Sequence, residues 1–553
     1  MHRGITTLII LTLSIPNIGN GQWPCWRGPH HNGTAYDSET LAQSWPVNGP
    51  PIRWAMYELP SGGSSSPVIA DNRVYVYIHN KRVQKDITVC LDANSGEKLW
   101  QREMNVDRVT LHDASGTPCV VDGRVYITGA RVCYCLASDT GEVIWKADTG
   151  VPATDPTING KRQELSSSFV VVGNTAAVSL GPLFGFNALT GDVLWRSPEA
   201  GGYAGAMTSV APWFDHNMTY LVYSGQDRLC CINAETGRLL WQEKSNGRGK
   251  TYATSPAIQG NRLAVCFSQE LRGYELSKTG GKLLWSIPYA EEYASPIHDG
   301  QRVYTFAPSD RKNLYELVCR DAISGKQRWK RRHRASVYSS PILADGKVFL
   351  FVDKARQIAM FDANTGKRLA SQAVPGLEWS SPAVANGCLF IRTKNGLICY
   401  EISKDACTGP LLKIEGEKLV DIQSERIKFT VQDMREFGRG WSGNKQLFMV
   451  PHSSGGMLEI NLQVPQYGQY ELVLFLTKAP DYGMLTFSVN GKQCDKQFEG
   501  YAKRVIPSGP ISLGKQTFHL GKNRITIKIH SKATMPTATR AGLDAIELRH
   551  IRD

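Results

Sequence analysis

No apolar run in these 553 residues approaches the about 20 needed to cross a bilayer. No His-Glu-x-x-His, no Gly-x-Ser-x-Gly and no phosphate-binding glycine loop occurs, so the common metalloprotease, serine-hydrolase and nucleotide-phosphate chemistries have no support. Charged residues are only 20% and hydrophobic ones 42%, with a mean hydropathy of -0.27. That balance excludes a disordered chain and a polytopic membrane protein. The 13 cysteines are an odd number in a long chain, which excludes a small disulfide scaffold. What is abundant is glycine (52), tyrosine (21) and tryptophan (13), a mixture that favours short strands and turns. The formal charge is +13 and the pI about 9.1. Seven of those excess charges fall from Lys418 onward. A basic balance permits nucleic acid, anionic surfaces or acidic glycans as partners and selects none.

Residues 1–21 read as an export signal. His2 and Arg3 give a polar, basic start, Ile5 to Ile15 is almost wholly apolar, Pro16 breaks the run, and Gly19-Asn20-Gly21 offers small residues for cleavage. The alternative is an uncleaved anchor. No Cys directly follows the run, so lipidation is not supported. The mature protein is expected in the periplasm or outside the cell, with no transmembrane span.

Length alone suggests three or four domains, but an internal repeat decides the organisation. Gly followed four residues later by Trp occurs at Gly96/Trp100, Gly141/Trp145, Gly191/Trp195, Gly237/Trp241, Gly281/Trp285 and Gly325/Trp329. Gly366 begins a seventh copy in which Ala370 replaces the Trp. Successive glycines lie 41 to 50 residues apart. A second phrase interleaves: Ser66-Pro67, Thr117-Pro118, Ser255-Pro256, Ser295-Pro296, Ser340-Pro341 and Ser381-Pro382, with altered copies at Ser168-Phe169 and Ala211-Pro212. Each precedes an alternating run such as Arg73-Val74-Tyr75-Val76-Tyr77. The unit reads as four strands: an inner strand after Ser-Pro, two more, then an Asx-Gly turn into a Trp-bearing fourth. One such sheet cannot bury both faces alone, so copies must stack, and a period near 44 suits a propeller blade. Eight starts but seven Gly turns leave the last unit one strand short. Residues near 52 to 59, which carry Trp54, are expected to supply it and close the ring.

These residues resemble the PQQ-like β-propeller repeat family, which includes quinoprotein dehydrogenases and the outer-membrane assembly lipoprotein BamB, over residues 23–404. The opening Trp23-Pro24-Cys25-Trp26-Arg27-Gly28-Pro29 is similar to the start of secreted propellers in planctomycete-type bacteria. The expected fold is all-β: an eight-bladed propeller over 22–403 closed by an N-terminal strand, a linker over 404–423, and a β-sandwich over 424–553. In that last part alternating runs at Met457–Val464, Tyr470–Leu476, Leu485–Val489, Thr517–Leu520 and Ile525–His530, with a closing Gly542–Leu548, alternate with turn residues. Gly440-Trp441-Ser442-Gly443-Asn444, Lys478–Gly483 and the closing Gly-Leu-Asp resemble galactose-binding-like jelly rolls of secreted glycan-active proteins, which implies carbohydrate binding or an accessory role.

The resemblance to quinoprotein dehydrogenases implies a test. Those enzymes hold PQQ between a Trp and a vicinal disulfide, with Ca²⁺ held by acidic residues. Cys230-Cys231 is vicinal, yet it occupies the third-strand slot that Cys90 and Cys135 fill elsewhere, where cysteine acts as a small core residue. The acidic ligands cannot be matched, so no cofactor is expected; PQQ with Ca²⁺ belongs only to the enzyme alternative, and the metal is unknown. The Asp92 and Asp362 turns lack the further ligands of a Ca²⁺ loop.

Candidate ligand residues instead ring one mouth of the propeller channel, just before the inner strands: His112, Asp113, Tyr252, Glu292, Tyr293, Tyr338, Glu378 and Trp379. Aromatic faces beside carboxylates can hold a sugar or small ligand; the alternative is packing between blades. In the sandwich the candidates are Trp441, Lys478, Asp481 and Tyr482, as sugar platforms or as packing residues. The basic run Trp329–Arg334 fits a solvated edge strand or an acidic surface, and with no recognition motif beside it nucleic acid is not expected as a partner. The leading expectation is an exported, non-catalytic binding or scaffold protein, with a glycan or a cell-envelope protein as partner. The alternatives are a PQQ-dependent oxidoreductase acting on alcohols or sugars and a BamB-like assembly factor.

Overall fold

Each repeat begins with short apolar segments that alternate with two-residue turns, and these dictate hairpins. The first sheet shows the pattern: Val68–Ala70, Arg73–Asn80, Lys85–Asp92 and Lys98–Asn105 pair antiparallel in sequence order. Ala70 faces Arg73, so the turn is Asp71-Asn72 alone, both at positive φ (50° and 58°), the conformation a tight hairpin requires. The next connection folds on Asp92, whose Oδ1 accepts the N–H groups of Asn94 (2.9 Å) and Ser95 (2.8 Å). Gly96 then adopts φ 74°, which costs a residue with a Cβ more than glycine.

The computed structural model describes residues 21–551 apart from 36–39, 47–48, 61, 81–82, 84, 106–115, 130–131, 152–166, 199, 201–207, 226–227, 246–253, 289–292, 309–314, 334–338, 353–355, 375, 377–379, 395, 409, 439, 453–454 and 532–538. Two compact units emerge. The first comprises the described residues up to Leu41 together with Trp54–Cys399, the second Ala42–Arg53 and Tyr400–Asp553.

In the first unit the described residues form eight sheets of the same four-stranded plan, a β-propeller. Their inner strands are Val68–Ala70, Cys119–Val121, Val170–Val172, Ala211–Asp215, Ala257–Gln259, Ile297–His298, Ile342–Ala344 and Ala383–Ala385. In the eighth sheet the outermost strand is Ile52–Met56, which pairs with Gly396–Glu401 where the expected closing strand lies. A fifth strand, Thr34–Ala35, runs parallel to Leu343-Ala344 in the seventh sheet. Central strands are buried on both faces because a sheet lies on either side, as in Val74 to Ile78. Fourth strands alternate buried with exposed, as in Val143–Asp148.

The tryptophans join neighbouring sheets. Trp54, Trp100, Trp145, Trp195, Trp285 and Trp329 each lie against the turn glycine of the next sheet, Gly96, Gly141, Gly191, Gly237, Gly325 and Gly366. Each indole N–H donates to a backbone carbonyl in that sheet, for example Trp145 to Ala188 and Trp195 to Ala234, both 3.0 Å. Trp54 does the same to Ala93 (2.9 Å), so the last sheet grips the first. On its own sheet each indole covers a small residue: Trp100 faces Cys90, Trp145 Cys135, Trp195 Gly185, Trp285 Gly273 and Trp329 Cys319.

A ring of hydroxyls closes the inner ends. The N–H of Ser66 donates to Thr117 Oγ1, Thr117 to Ser168 Oγ, and so on through Ser209, Ser255, Ser295, Ser340 and Ser381, whose N–H returns to Ser66 Oγ; all eight bonds are 2.9–3.1 Å. The fourth start is therefore Ser209-Val210, not Ala211-Pro212, which belongs to the strand itself.

In the second unit two antiparallel sheets enclose one apolar core. One runs Ile427–Asp433, Lys445–Pro451, Ala541–His550, Gly468–Lys478, Ile506–Phe518; the other Ile422–Glu425, Gly455–Val464, Gly521–His530, Met484–Val489, Lys492–Glu499. Two expectations need correction. Residues 404–423 are not a bare connector: they hold a helix, Lys404–Thr408, and a strand, Pro410–Glu415, paired with Ala541–His550. Thr517–Leu520 is not a strand of its own but overlaps the end of Ile506–Phe518.

The indole contact sets a stability prediction. Trp145→Ala removes a 6%-exposed ring and should cost about 3–5 kcal/mol in urea unfolding. Trp241, only half-buried, should cost clearly less on the same substitution. Equal costs would show that the buried indole contact does not hold the sheets together.

Candidate functional site

The eight candidate residues at the inner-strand starts divide sharply. Tyr293 is 39% exposed and lies two residues before the ring hydroxyl of Ser295. His112, Asp113, Tyr252, Glu292, Tyr338, Glu378 and Trp379 lie outside the described residues.

The inner strands carry a feature that the repeat pattern does not announce. Residues 23–35 form a strap across them. Trp23 exchanges both backbone bonds with Ile69 (2.9 and 2.8 Å), and Pro24 O accepts from Val120 N (2.8 Å). Trp26 Nε1 reaches Ser255 Oγ (3.4 Å), and Asn32 Nδ2 donates to Gln259 Oε1 (2.9 Å). Asn32 O accepts from His298 N (3.2 Å) and Gly33 O from Leu343 N (2.8 Å). The strap thus joins the first, second, fifth, sixth and seventh sheets. Its path forces Arg27 and His31 into left-handed backbone (φ 67° and 54°), uncommon outside glycine. The Arg27 guanidinium donates to Pro296 O, and burial lowers its pKa to about 9. Burial also lowers His31 to about 4, so its imidazole is neutral at pH 7.

A second polar cluster was not foreseen. His79 Nδ1 lies 2.9 Å from Asp86 Oδ1, and the Tyr77 hydroxyl donates to the other oxygen of the same carboxylate. Arg392, buried in the eighth sheet, donates to the carbonyls of Ser65 (2.9 Å), Tyr77 (3.0 Å) and Gly62 (2.5 Å). Ser65 adjoins the hydroxyl ring, so the cluster sits at the inner-strand starts between the first and eighth sheets. A carboxylate that orients an imidazole is acid–base machinery in many proteins. The available signal was Arg392 at the end of an otherwise apolar run, Cys388 to Ile391.

The residues do not fit PQQ in the manner of the quinoprotein enzymes. Cys230 and Cys231 point to opposite faces of Arg228–Asn233: one packs with Leu221 and Tyr223, the other with Trp213 and Phe267. They cannot present the joint plate that a vicinal disulfide offers a cofactor ring. Among the described residues no three His, Cys, Asp or Glu side chains lie close enough to hold a metal ion. The basic run is internally paired, with Lys330 (3.1 Å) and Arg332 (3.0 Å) converging on Glu316.

In the second unit two candidates turn inward. Trp441 is 6% exposed, and its Nε1 donates to Thr477 Oγ1 (2.7 Å). Thr477 in turn donates to Gln446 Oε1 (2.5 Å), and Gln446 Nε2 donates to the Tyr482 hydroxyl (3.1 Å), which is also buried. These rings are therefore packing residues rather than open platforms. Asp481 pairs with Arg540, and the Lys478 ammonium lies 5.3 Å over the Phe498 ring. Beside them Asp544 accepts the Ser442 N–H (2.8 Å). Burial first, then the nearby charges of Glu415 and Glu417, raise its pKa to about 6.

The family model described as "Outer membrane protein assembly factor BamB" matches residues 84–316 and 296–393. Tetrathionate hydrolase of Acidithiobacillus ferrooxidans is 24% identical over 334 residues, covering 53% of this chain and 65% of that protein, just under two thirds of its length. Outer membrane protein assembly factor BamB of Yersinia pestis is 23% identical over 337 residues, covering 57% and 79%. A quinohemoprotein alcohol dehydrogenase from Pseudomonas putida HK5 superposes with a TM-score of 0.55 at 14% identity, over 71% of this chain and 81% of that one. At that identity it shows the fold alone. No helix among the described residues is long and apolar enough to cross a membrane.

Asp544 gives the second unit a pH signature. Its folded pKa of about 6 exceeds the ordinary 3.8, so the folded state holds the proton more tightly. Its stabilising contribution is complete below about pH 4 and is lost as pH rises to about 6, by up to about 3 kcal/mol. Asp544→Asn should flatten that decline in pH-dependent denaturation; an unchanged slope would assign it to other groups.

Proposed function

This chain belongs to the PQQ-like repeat family described as outer membrane protein assembly factor BamB, and on that premise we propose that it is a non-catalytic binding or scaffold protein of the cell envelope. In this reading it is exported by its N-terminal leader. An eight-bladed propeller presents the binding surface, and a jelly-roll sandwich attaches the molecule to glycan. The observation that carries the non-catalytic reading is the opposed packing of Cys230 and Cys231, each committed to a different core. The hydroxyl ring supports it: each ring hydroxyl accepts a neighbouring backbone N–H, which makes the starts of the inner strands frame rather than reagent. A BamB-like role in envelope assembly is the form of this reading in which the partner is an envelope protein.

A second reading, a PQQ-dependent oxidoreductase acting on alcohols or sugars, is favoured by one observation. The His79–Asp86–Tyr77 cluster with Arg392 places buried acid–base groups at the inner-strand starts.

Titrating the purified full chain with PQQ and Ca²⁺, and following dye reduction with alcohols and sugars, separates the two. The expected result is neither stoichiometric binding nor turnover; turnover that His79→Ala abolishes would establish the enzyme. Glycan attachment is tested on an array. Asp481→Ala and Lys478→Ala are the informative variants, because Trp441 is buried and its loss would disturb the fold. Signal lost in these variants supports the tether, and an array silent for every glycan removes it.

A further inference from the structure

Two cysteines meet where the strap crosses the second sheet. The bond from Val120 N–H to Pro24 O (2.8 Å) links the residue after Cys119 to the residue before Cys25. Both side chains are buried, at 2% and 1% exposure, and share one apolar core with Tyr126 and Phe169. The Cys25 thiol donates to Gly28 O (3.1 Å), and the neighbouring Cys119 thiol together with burial holds its pKa well above the ordinary value. His31 Nε2 lies 3.5 Å from Cys25 Sγ. Other cysteines have different duties. Cys90, Cys135, Cys231 and Cys319 lie opposite tryptophans, and Cys230 is committed to a separate core. Cys25 and Cys119 instead join two segments 94 positions apart in sequence.

We propose that Cys25 and Cys119 are an oxidative modification site, a disulfide that fastens the N-terminal strap to the second sheet. Two S–H bonds break and one S–S bond forms. The two electrons pass to an external disulfide such as oxidised glutathione, which leaves as two thiols. One thiolate attacks that disulfide and releases the first thiol; the second thiolate displaces the other. Docking buries both sulfurs, so exchange takes place while the strap is undocked, and the docked bridge is shielded from reductant. The pair was not separable by sequence from the eleven other cysteines, because their partnership depends on the strap's path. Export determines where the chain would meet an oxidant, but the chemistry does not depend on that reading.

The test uses the full chain, prepared reduced and equilibrated with oxidised glutathione, then alkylated and mapped without reduction. The expected result is 11 free thiols in place of 13, with one linked peptide pair joining Cys25 to Cys119. Cys25→Ser and Cys119→Ser should each retain 12 thiols and show no bridge. A second readout is tryptic cleavage after Arg27, which should be at least about tenfold slower in the oxidised than in the reduced wild type, since local opening controls access. Thirteen thiols after equilibration, or a bridge between any other two cysteines, overturns the proposal. Equal cleavage rates in the two redox forms overturn the fastening role.

Discussion

Everything in the first unit depends on one contact: a fourth-strand indole laid over the turn glycine of the next sheet. A lone four-stranded sheet has two apolar faces and cannot exist in water. The indole gives each sheet a large apolar cover on its neighbour and a directed N–H bond to a carbonyl there. Both sides are shaped for it. The receiving turn has glycine because the ring occupies the space of a Cβ, and the donating sheet has cysteine or glycine opposite the ring for the same reason. Four of the 13 cysteines, Cys90, Cys135, Cys231 and Cys319, stand where they do because a tryptophan lies opposite.

The exceptions obey the same rule, which is why so much of this unit could be read in advance. Ala370 stands where a seventh Trp would be, and its partner is the large Met360 rather than a small residue. The eighth sheet has no turn glycine between its third and fourth strands, since Ile52–Met56 arrives from elsewhere in the chain. There is nothing there for a seventh indole to cover, so the absent Trp and the absent turn are one fact. Trp54 completes the circuit on Gly96. A local repeat, read with its missing members, therefore carried the fold.

Features made by distant segments were not legible. The strap bonds to residues from Ile69 to Leu343, and no periodicity marks it. Arg392 is visible as a charge in an apolar strand, but its carbonyl partners are more than 300 positions away. In the second unit Ile427–Asp433 alternates apolar Ile427, Phe429 and Val431 with polar Lys428, Thr430 and Gln432, yet most of the strand is exposed, so its alternation does not mark a half-buried face. Trp441 and Tyr482 were sound candidates by residue type and loop context. Their inward turn follows from Thr477 and Gln446, which give both rings buried hydrogen-bond partners.

The frame also constrains where binding can reside. The chain has laid its own strap along the inner strands, and at their starts each ring hydroxyl already accepts the neighbouring N–H. A ligand that displaced either would have to replace bonds which hold the sheets in register, and the cost would fall on the whole ring. Recognition is therefore assigned most economically to segments outside that network. Tyr293, exposed two residues before the ring hydroxyl of Ser295, is one such position. This separation of frame from loop explains how one repeat supports both assembly factors and dehydrogenases: the residues that define the family are not the residues that choose a function.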